Sequence, residues 1–398
     1  LKPEPVPKRL RIAVFNRIFA PTGGGAERYA IALVEHLAAR HEIHVFAQHI
    51  EHHWPGVVYH RVSMPFRKPR WVNQLWFATA TWWATRQSFD IVHSHENTWQ
   101  GNVQTVHVLP VWHNLFHGRE GVRRALRWLK VVSSPRLLTY LGLESLRFGK
   151  SGRRIVATSD SLLRVMADTF PRSSCALEVL VPGVQPPEAL TTPGALDAAR
   201  LTLGLPLGVP CLLLVGNDYR KKGLLCALDG LSLLSKNTIL AVVGNTTHHA
   251  HFVVYAEKLG LADRVFFLGL QSDVGLAYRA ADVLVHPTLE DTFAMVVLEA
   301  MAYGLPVVVS SAEFCGISGL LRNADNALLL SNPHDPVALA KAVEQILSDA
   351  SLHQTLSVNA RQFALSHAWP EKALQQEAIY FAVTDKCGGQ VVRFKPPV

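Results

Sequence analysis

Short apolar runs alternate along this chain with segments whose apolar residues fall at helical intervals, a pattern that predicts βαβ units around parallel sheets. Residues 10–15 read Leu-Arg-Ile-Ala-Val-Phe, the length of a buried strand. A turn signal follows at Pro21-Thr-Gly-Gly-Gly25. Over 27–39 a helix is expected from the spacing of Ala30, Leu33, Val34 and Leu37. Strand-like runs at 43–47, 90–93, 104–107 and 154–159 complete the first half. The pattern then restarts, with strands expected at 211–216, 239–244, 265–269, 283–286 and 306–310 and helices at 223–234 and 335–347. Residues 181–187 and 193–210 are rich in Pro and Gly. They place a linker at 183–209 between a domain at 9–182 and a second at 210–365, with a helix at 366–385 positioned to cross back to the first. The expected fold class is α/β, with two Rossmann-like doubly wound domains facing each other across a cleft. Such sheets bind ligands beyond the C-terminal ends of their strands. The halves echo each other, Asp90-Ile-Val-His93 against Asp282-Val-Leu-Val-His286. No short-period repeat suggests a solenoid.

Composition agrees with two packed domains and excludes disorder for most of the chain: 398 residues, 49% of them hydrophobic. The five cysteines, Cys175, Cys211, Cys226, Cys315 and Cys387, form no CxxC and read as reduced thiols. No apolar run reaches membrane-spanning length, and residues 1–8 are proline-broken without a signal-peptide apolar core. A cytoplasmic location is expected, with peripheral attachment to the inner face of the cytoplasmic membrane in view because of where the charge lies. The net charge is +8, and the window 119–154 carries all of that excess. Ten cations (Arg119, Arg123, Arg124, Arg127, Lys130, Arg136, Arg147, Lys150, Arg153, Arg154) less Glu120 and Glu144 give +8. With the Trp-rich, basic stretch 66–86 this window suits an anionic membrane surface or a phosphorylated lipid-linked acceptor. The tryptophans read equally well as the core face of a helix at 72–86. No nucleic-acid-binding module is present, so only weak nonspecific binding is expected there.

Three segments carry chemistry. In His286-Pro-Thr-Leu-Glu-Asp291-Thr-Phe-Ala-Met-Val-Val-Leu-Glu299, a strand ends at His286 and a helix is expected near Thr292 with Asp291 as its N-cap. On one helix Asp291 and Glu299 would stand about 12 Å apart. A glycosidase pair needs roughly 5 to 9.5 Å, so holding two parts of one long ligand fits better. Alone, Asp291 also reads as a plain cap. Glu299 lies in an apolar stretch, where an unpaired carboxylate is costly, and that favours a ligand. The second segment, Val215-Gly-Asn-Asp-Tyr-Arg220-Lys221-Lys222-Gly223, puts three cations at a helix start, against the dipole; a diphosphate or a solvated basic turn explains it equally. The third, Gly23-Gly24-Gly25-Ala26-Glu27, is neither GxGxxG nor a Walker loop, and is a close backbone approach to a ligand or a simple turn. His93-Ser94-His95 places two imidazoles on one strand face without a third zinc ligand nearby in sequence. His107, ending an apolar run, is the better cleft residue or else a bonded core histidine.

These segments, in this order and spacing, resemble retaining glycosyltransferases of the GT-B fold, family GT4. The resemblance covers nearly the whole chain, and its second half and the stretch 140–163 look most like the lipopolysaccharide-core glucosyltransferases. It implies a nucleotide-sugar co-substrate, a UDP-sugar in the first instance, with no cofactor and no metal. The acceptor it implies is a glycan or lipid-linked molecule such as lipopolysaccharide core or a polysaccharide precursor. It gives Lys222, with Lys221 or Arg220, the donor diphosphate; Glu299 the ribose hydroxyls; and Asp291 the donor sugar. Amides of Phe293, Ala294 and Met295 would assist, Gly24 and Gly25 would make room, and His107 would stand beside the transferred sugar. Residues 265–273, Gly269 among them, would flank the base. The chain departs from the family pattern at Asp291 (usually Glu), Thr292 and Ala294 (usually Gly) and Asn217 (commonly Arg). The same fold also serves nucleotide-sugar epimerases and phosphorylases, and a non-catalytic nucleotide-sugar- or lipid-binding protein would share these segments.

Overall fold

The computed structural model describes residues 8–21, 23–66, 68–86, 89–149, 152–187 and 194–386, without the side chains of Ser174, Cys175, His248 and Lys386. The thiols of Cys175 and Cys387, Lys150, residues 1–7 and residues 188–193 of the expected linker lie outside these. The chain forms two compact units, Leu1–Val181 with Trp369–Val398, and Pro182–Ala368.

The first unit is built on strands β1 (Arg11–Phe15), β3 (Glu42–Ala47), β5 (Val57–Arg61), β6 (Ile91–Ser94), β7 (Val103–Val106), β8 (Arg154–Ala157) and β9 (Leu177–Val179). They form one parallel sheet in the order β5-β3-β1-β6-β7-β8-β9. A two-stranded pair, β2 (Ile18–Phe19) and β4 (His49–Ile50), stands beside it. The second unit holds β10 (Cys211–Val215), β11 (Ile239–Val243), β12 (Val265–Gly269), β13 (Val283–His286), β14 (Val307–Ser310) and β15 (Leu328–Leu330), parallel in the order β12-β11-β10-β13-β14-β15. Buried Leu, Val and Ile dominate inner strands such as β10, β11, β13 and β14, as a sheet covered on both faces requires, while the edge strands β5, β9 and β12 are only partly buried. Each sheet reverses its strand order once, between β1 and β6 and between β10 and β13. In such sheets ligands gather outside the strand ends at that point.

The sequence echo between the halves has a structural cause. Asp90 Oδ2 accepts from the Arg11 amide at 2.8 Å, and Asp282 Oδ2 accepts from the Cys211 amide at 2.6 Å. In each unit an aspartate before the strand across the reversal captures the first amide of the central strand.

Three expectations change. The linker segment contains the helix Ala195–Leu203, bounded by left-handed Gly194 and Gly204. Its Arg200 is buried and bonds Asp282 Oδ2 at 2.8 Å, so the helix belongs to the second unit. The helix expected at 72–86 spans Arg70–Ala84 and turns Asn73, Gln74, Phe77, Ala78 and Thr81 inward. Its tryptophans are not the core face: Trp83 is 71% exposed, and Trp76 and Trp82 are exposed too. The basic window divides as well. Arg147 and Arg153 are buried and donate to backbone carbonyls, Arg147 to Thr105 O at 2.7 Å and Arg153 to Arg147 O at 2.7 Å. They are struts under the sheet, not part of a surface patch.

The helix Trp369–Lys386 packs in the first unit. Tyr380 shares a 2.7 Å hydrogen bond with His93, and Glu377 meets His41 at 2.7 Å and Arg40 at 3.1 Å. Cys211, Cys226 and Cys315 are buried free thiols. Among the described residues no helix is long and apolar enough to cross a membrane.

Candidate active site

Two loops leave the C-terminal ends of the adjacent strands β10 and β13, at the order reversal of the second sheet. After β10 the chain turns through Gly216–Gly223 into the helix Leu224–Leu233. The Lys222 amide bonds Asp218 O at 2.9 Å, and the Lys221 amide bonds Asp218 Oδ1 at 3.1 Å. The loop after β13 is pinned to this turn: Lys221 O accepts from the Leu289 amide at 2.8 Å and from Thr288 Oγ1 at 2.9 Å. The pinning sets the charged side chains opposite one another. Lys222 Nζ donates to Asp291 Oδ2, and Lys221 Nζ lies 2.8 Å from Glu290 Oε1.

Asp291 is not a helix N-cap. The helix runs Met295–Ala302, and its N-cap is Ala294 at φ 72°, ψ 68°. That left-handed backbone suits glycine and costs alanine roughly 1 kcal/mol, which accounts for the glycine usual there in the family pattern. Asp291 Oδ1 instead accepts from the amides of Phe293 (3.3 Å) and Ala294 (2.9 Å) inside the preceding loop. Those two donors are therefore turned onto Asp291 rather than held for a ligand, whereas Met295 opens the helix, where first-turn amides lack intrahelical acceptors. The 12 Å spacing argument also lapses, since Asp291 and Glu299 do not share a helix. Burial raises the Asp291 pKa, but the hydrogen bond from His286 and the charge of Lys222 outweigh it and hold the carboxyl well below its ordinary range.

Glu299 is half-buried on that helix, and its Oε2 accepts from Tyr278 OH at 2.8 Å. It is not an unpaired carboxylate, so its cost is no argument for a ligand; its placement remains one. Asn217 Oδ1 bonds the Asn245 amide at 3.2 Å, tying the turn to the end of β11, and Gly269 ends β12 beyond it with φ 71°. Sequence reading missed Tyr278, Glu290 and His286. For His286 the strand echo gave no guide, since His93 stands three residues after Asp90 and His286 four after Asp282.

In the first unit, Gly24 is the N-cap of the helix Gly25–Leu37. His107 follows β7, and its Nε2 lies 2.9 Å from His95 Nδ1, with the Tyr29 ring edge-on at 5.0 Å between centroids. Burial, then the Arg147 charge, lowers the His107 pKa to about 3, so the imidazole is neutral near pH 7. His93 bonds Thr105 Oγ1 and Tyr380 OH, each at 2.7 Å. No described group of three or more His, Cys, Asp or Glu side chains is arranged to hold a metal ion.

Both halves match known families. Residues 198–363 match the model for glycosyl transferases group 1, and residues 23–187 match that for glycosyltransferase family 4. Lys222, Asp291 and Glu299 fall in the first match, and Gly24, Gly25 and His107 in the second. Lipopolysaccharide glucosyltransferase WaaG of Escherichia coli (strain K12) is 28% identical over 234 residues, 56% of this chain and 62% of that protein. The matched region thus spans under two thirds of that relative. In three dimensions the crystal structure of WaaG, a glycosyltransferase involved in lipopolysaccharide biosynthesis, has a TM-score of 0.79 at 22% identity, covering 93% of this chain and 99% of that one. Anabaena Alr3699/HepE in complex with UDP-glucose has a TM-score of 0.72 at 17% identity, covering 94% and 99%. With the two family models in order along the chain and two Rossmann-like sheets beneath them, this protein belongs to the family-4, group 1 glycosyltransferases of the GT-B fold.

Proposed function

We propose that this chain transfers a hexose from a UDP-sugar, with retention of anomeric configuration, to a glycan or lipid-linked acceptor. The observation that carries the reading is the meeting of the Lys222 turn with the Asp291 loop at the order reversal of the second sheet. Lys222, Lys221 and the first-turn amides at Met295 are positioned to offset the charge that grows on a leaving diphosphate. Glu299, one oxygen held by Tyr278, takes the ribose hydroxyls. His107, neutral near pH 7, acts as a hydrogen-bonding group and not as a proton donor. UDP-glucose in the structurally similar HepE supports uridine as the base. The test is a thermal-shift screen of nucleotides. UDP at a hundred times its Kd stabilises by about 2.7 kcal/mol, about 5 to 10 °C for a domain of this size. Equal shifts from all nucleotides, or none, overturn the assignment.

The acceptor reading extends to an anionic membrane surface. The helix Gly121–Val132 exposes Val122 (75%), Leu126 (60%), Leu129 (63%) and Val132 (58%) and buries only Val131. Arg123, Arg124, Arg127 and Lys130 flank that apolar row. An apolar stripe bordered by cations suits an interfacial helix. The chain is expected to sediment with anionic vesicles and not with neutral ones, and the double substitution Leu126→Ser, Leu129→Ser is expected to weaken binding at least about tenfold. Equal sedimentation with both vesicle types removes the membrane from the proposal.

A further inference from the structure

His286 ends β13 fully buried, with its Nε2 3.3 Å from Asp291 Oδ2. An ionised carboxylate only accepts, so Nε2 carries the proton. Nδ1 is then the bare nitrogen, and it is buried without a hydrogen-bond partner. The donors on Asp291 are now countable. Oδ1 takes the Phe293 and Ala294 amides, and Oδ2 takes Lys222 and His286. A carboxylate has about four lone-pair positions, and protein donors fill them all.

A carboxylate so occupied offers nothing to a sugar hydroxyl until one donor leaves. Two of the donors are backbone and one is a buried ring. The fourth, Lys222, is a flexible side chain with 20% of its surface exposed, and it is the one a diphosphate attracts. We propose that His286 is a positioning residue that keeps the Asp291 carboxylate ionised and oriented toward the donor sugar once Lys222 has turned to the diphosphate. This rests on the nucleotide-sugar reading above. The other titratable groups facing Asp291 leave this task to His286. Cys315, from the segment after β14, is a buried thiol whose pKa is raised by burial and then by Asp291, so it stays protonated and neutral. Glu290 is engaged with Lys221 on the outer side of the loop. Burial, the largest influence on His286, lowers its pKa, so near pH 7 the ring is a neutral donor and not a competing cation.

Binding of UDP and of UDP-glucose, measured by calorimetry from pH 5 to 8, tests the proposal in the wild type, His286→Asn and His286→Gln. Gln places an amide donor near the Nε2 position; Asn, one methylene shorter, does not. UDP affinity is expected to stay within about threefold in all three proteins. The extra affinity contributed by glucose is expected to persist to pH 5 in the wild type, to fall about tenfold with acidification in the Asn variant as Asp291 takes a proton, and to be largely restored in the Gln variant. One pKa unit corresponds to a tenfold change. Superimposable pH profiles for the three proteins overturn the role, as does a Gln variant as impaired as Asn when both keep the wild-type Tm. If either variant fails to fold, the other decides: a folded Gln variant must follow the wild type, and a folded Asn variant must not. A wild type that binds UDP but gains nothing from glucose overturns the inference and leaves the nucleotide reading standing. A wild type that binds neither ligand overturns both.

Discussion

Replacing Lys222 with alanine is expected to lower sugar transfer by a factor of 10² to 10³ or more while the protein stays folded. The estimate follows from removing one preorganised charge that meets the leaving group, about 3 to 4 kcal/mol of transition-state stabilisation. Lys221 makes up only part of the loss, since its exposed ammonium also serves Glu290 at 2.8 Å. Asp291, left without its cation, keeps His286 and two amides, so the loop retains its anchors. The lost ion pair is largely buried, its side chains 20% and 14% exposed. Losing it costs roughly 1 to 3 kcal/mol of stability. Lys222→Arg should recover part of the activity, since a guanidinium keeps the charge but not the shape. Transfer and acceptor-free hydrolysis of UDP-glucose are the measurements, with circular dichroism as the control. Near-wild-type rates in both would remove Lys222 from the mechanism.

How much of this was readable from sequence depends on the range of the physics involved. Strands such as β10 and β13 appear where the apolar runs place them, because burial on both sheet faces leaves a local signature. The Lys222–Asp291 pair was not readable: the partners are 69 residues apart, and the crossover that sets β13 beside β10 has no local mark. The start of the Met295–Ala302 helix was missed for a related reason. Ala294 holds a left-handed conformation without being glycine, so the usual punctuation is absent. Counting charge cannot separate Arg147, buried under backbone carbonyls, from Arg123, exposed on a helix. The tryptophans of Arg70–Ala84 show the converse: the sequence left a core face and a surface role equally open, and the inward face is partly polar and satisfied through Gln74, which bonds Arg17 at 2.6 Å and Asn97 O at 3.0 Å.

Gly223→Ala is expected to be strongly destabilising, by about 3 kcal/mol or more. Gly223 has φ +75°, and a Cβ there would stand 1.8 Å from Pro287 O and 2.7 Å from Pro287 C. Both atoms are backbone, so relief requires the loop after β13 to move bodily. Gly260 provides the comparison: φ +70°, with nothing within 4 Å of its Cβ position. Gly260→Ala bears only the left-handed strain, roughly 1 kcal/mol. At about 2 to 4 °C per kcal/mol for a domain of this size, Gly223→Ala should melt about 6 to 12 °C below the wild type, and Gly260→Ala only a few degrees below. The two should also part in function. Pro287 lies between His286 and Thr288, whose hydroxyl bonds Lys221 O, so displacing it carries Asp291 away from Lys222. Gly223→Ala should therefore lose UDP binding even at temperatures where it is fully folded, and Gly260→Ala should not. Equal melting points for the two variants would mean that the close packing of the two loops does not set the geometry of the site.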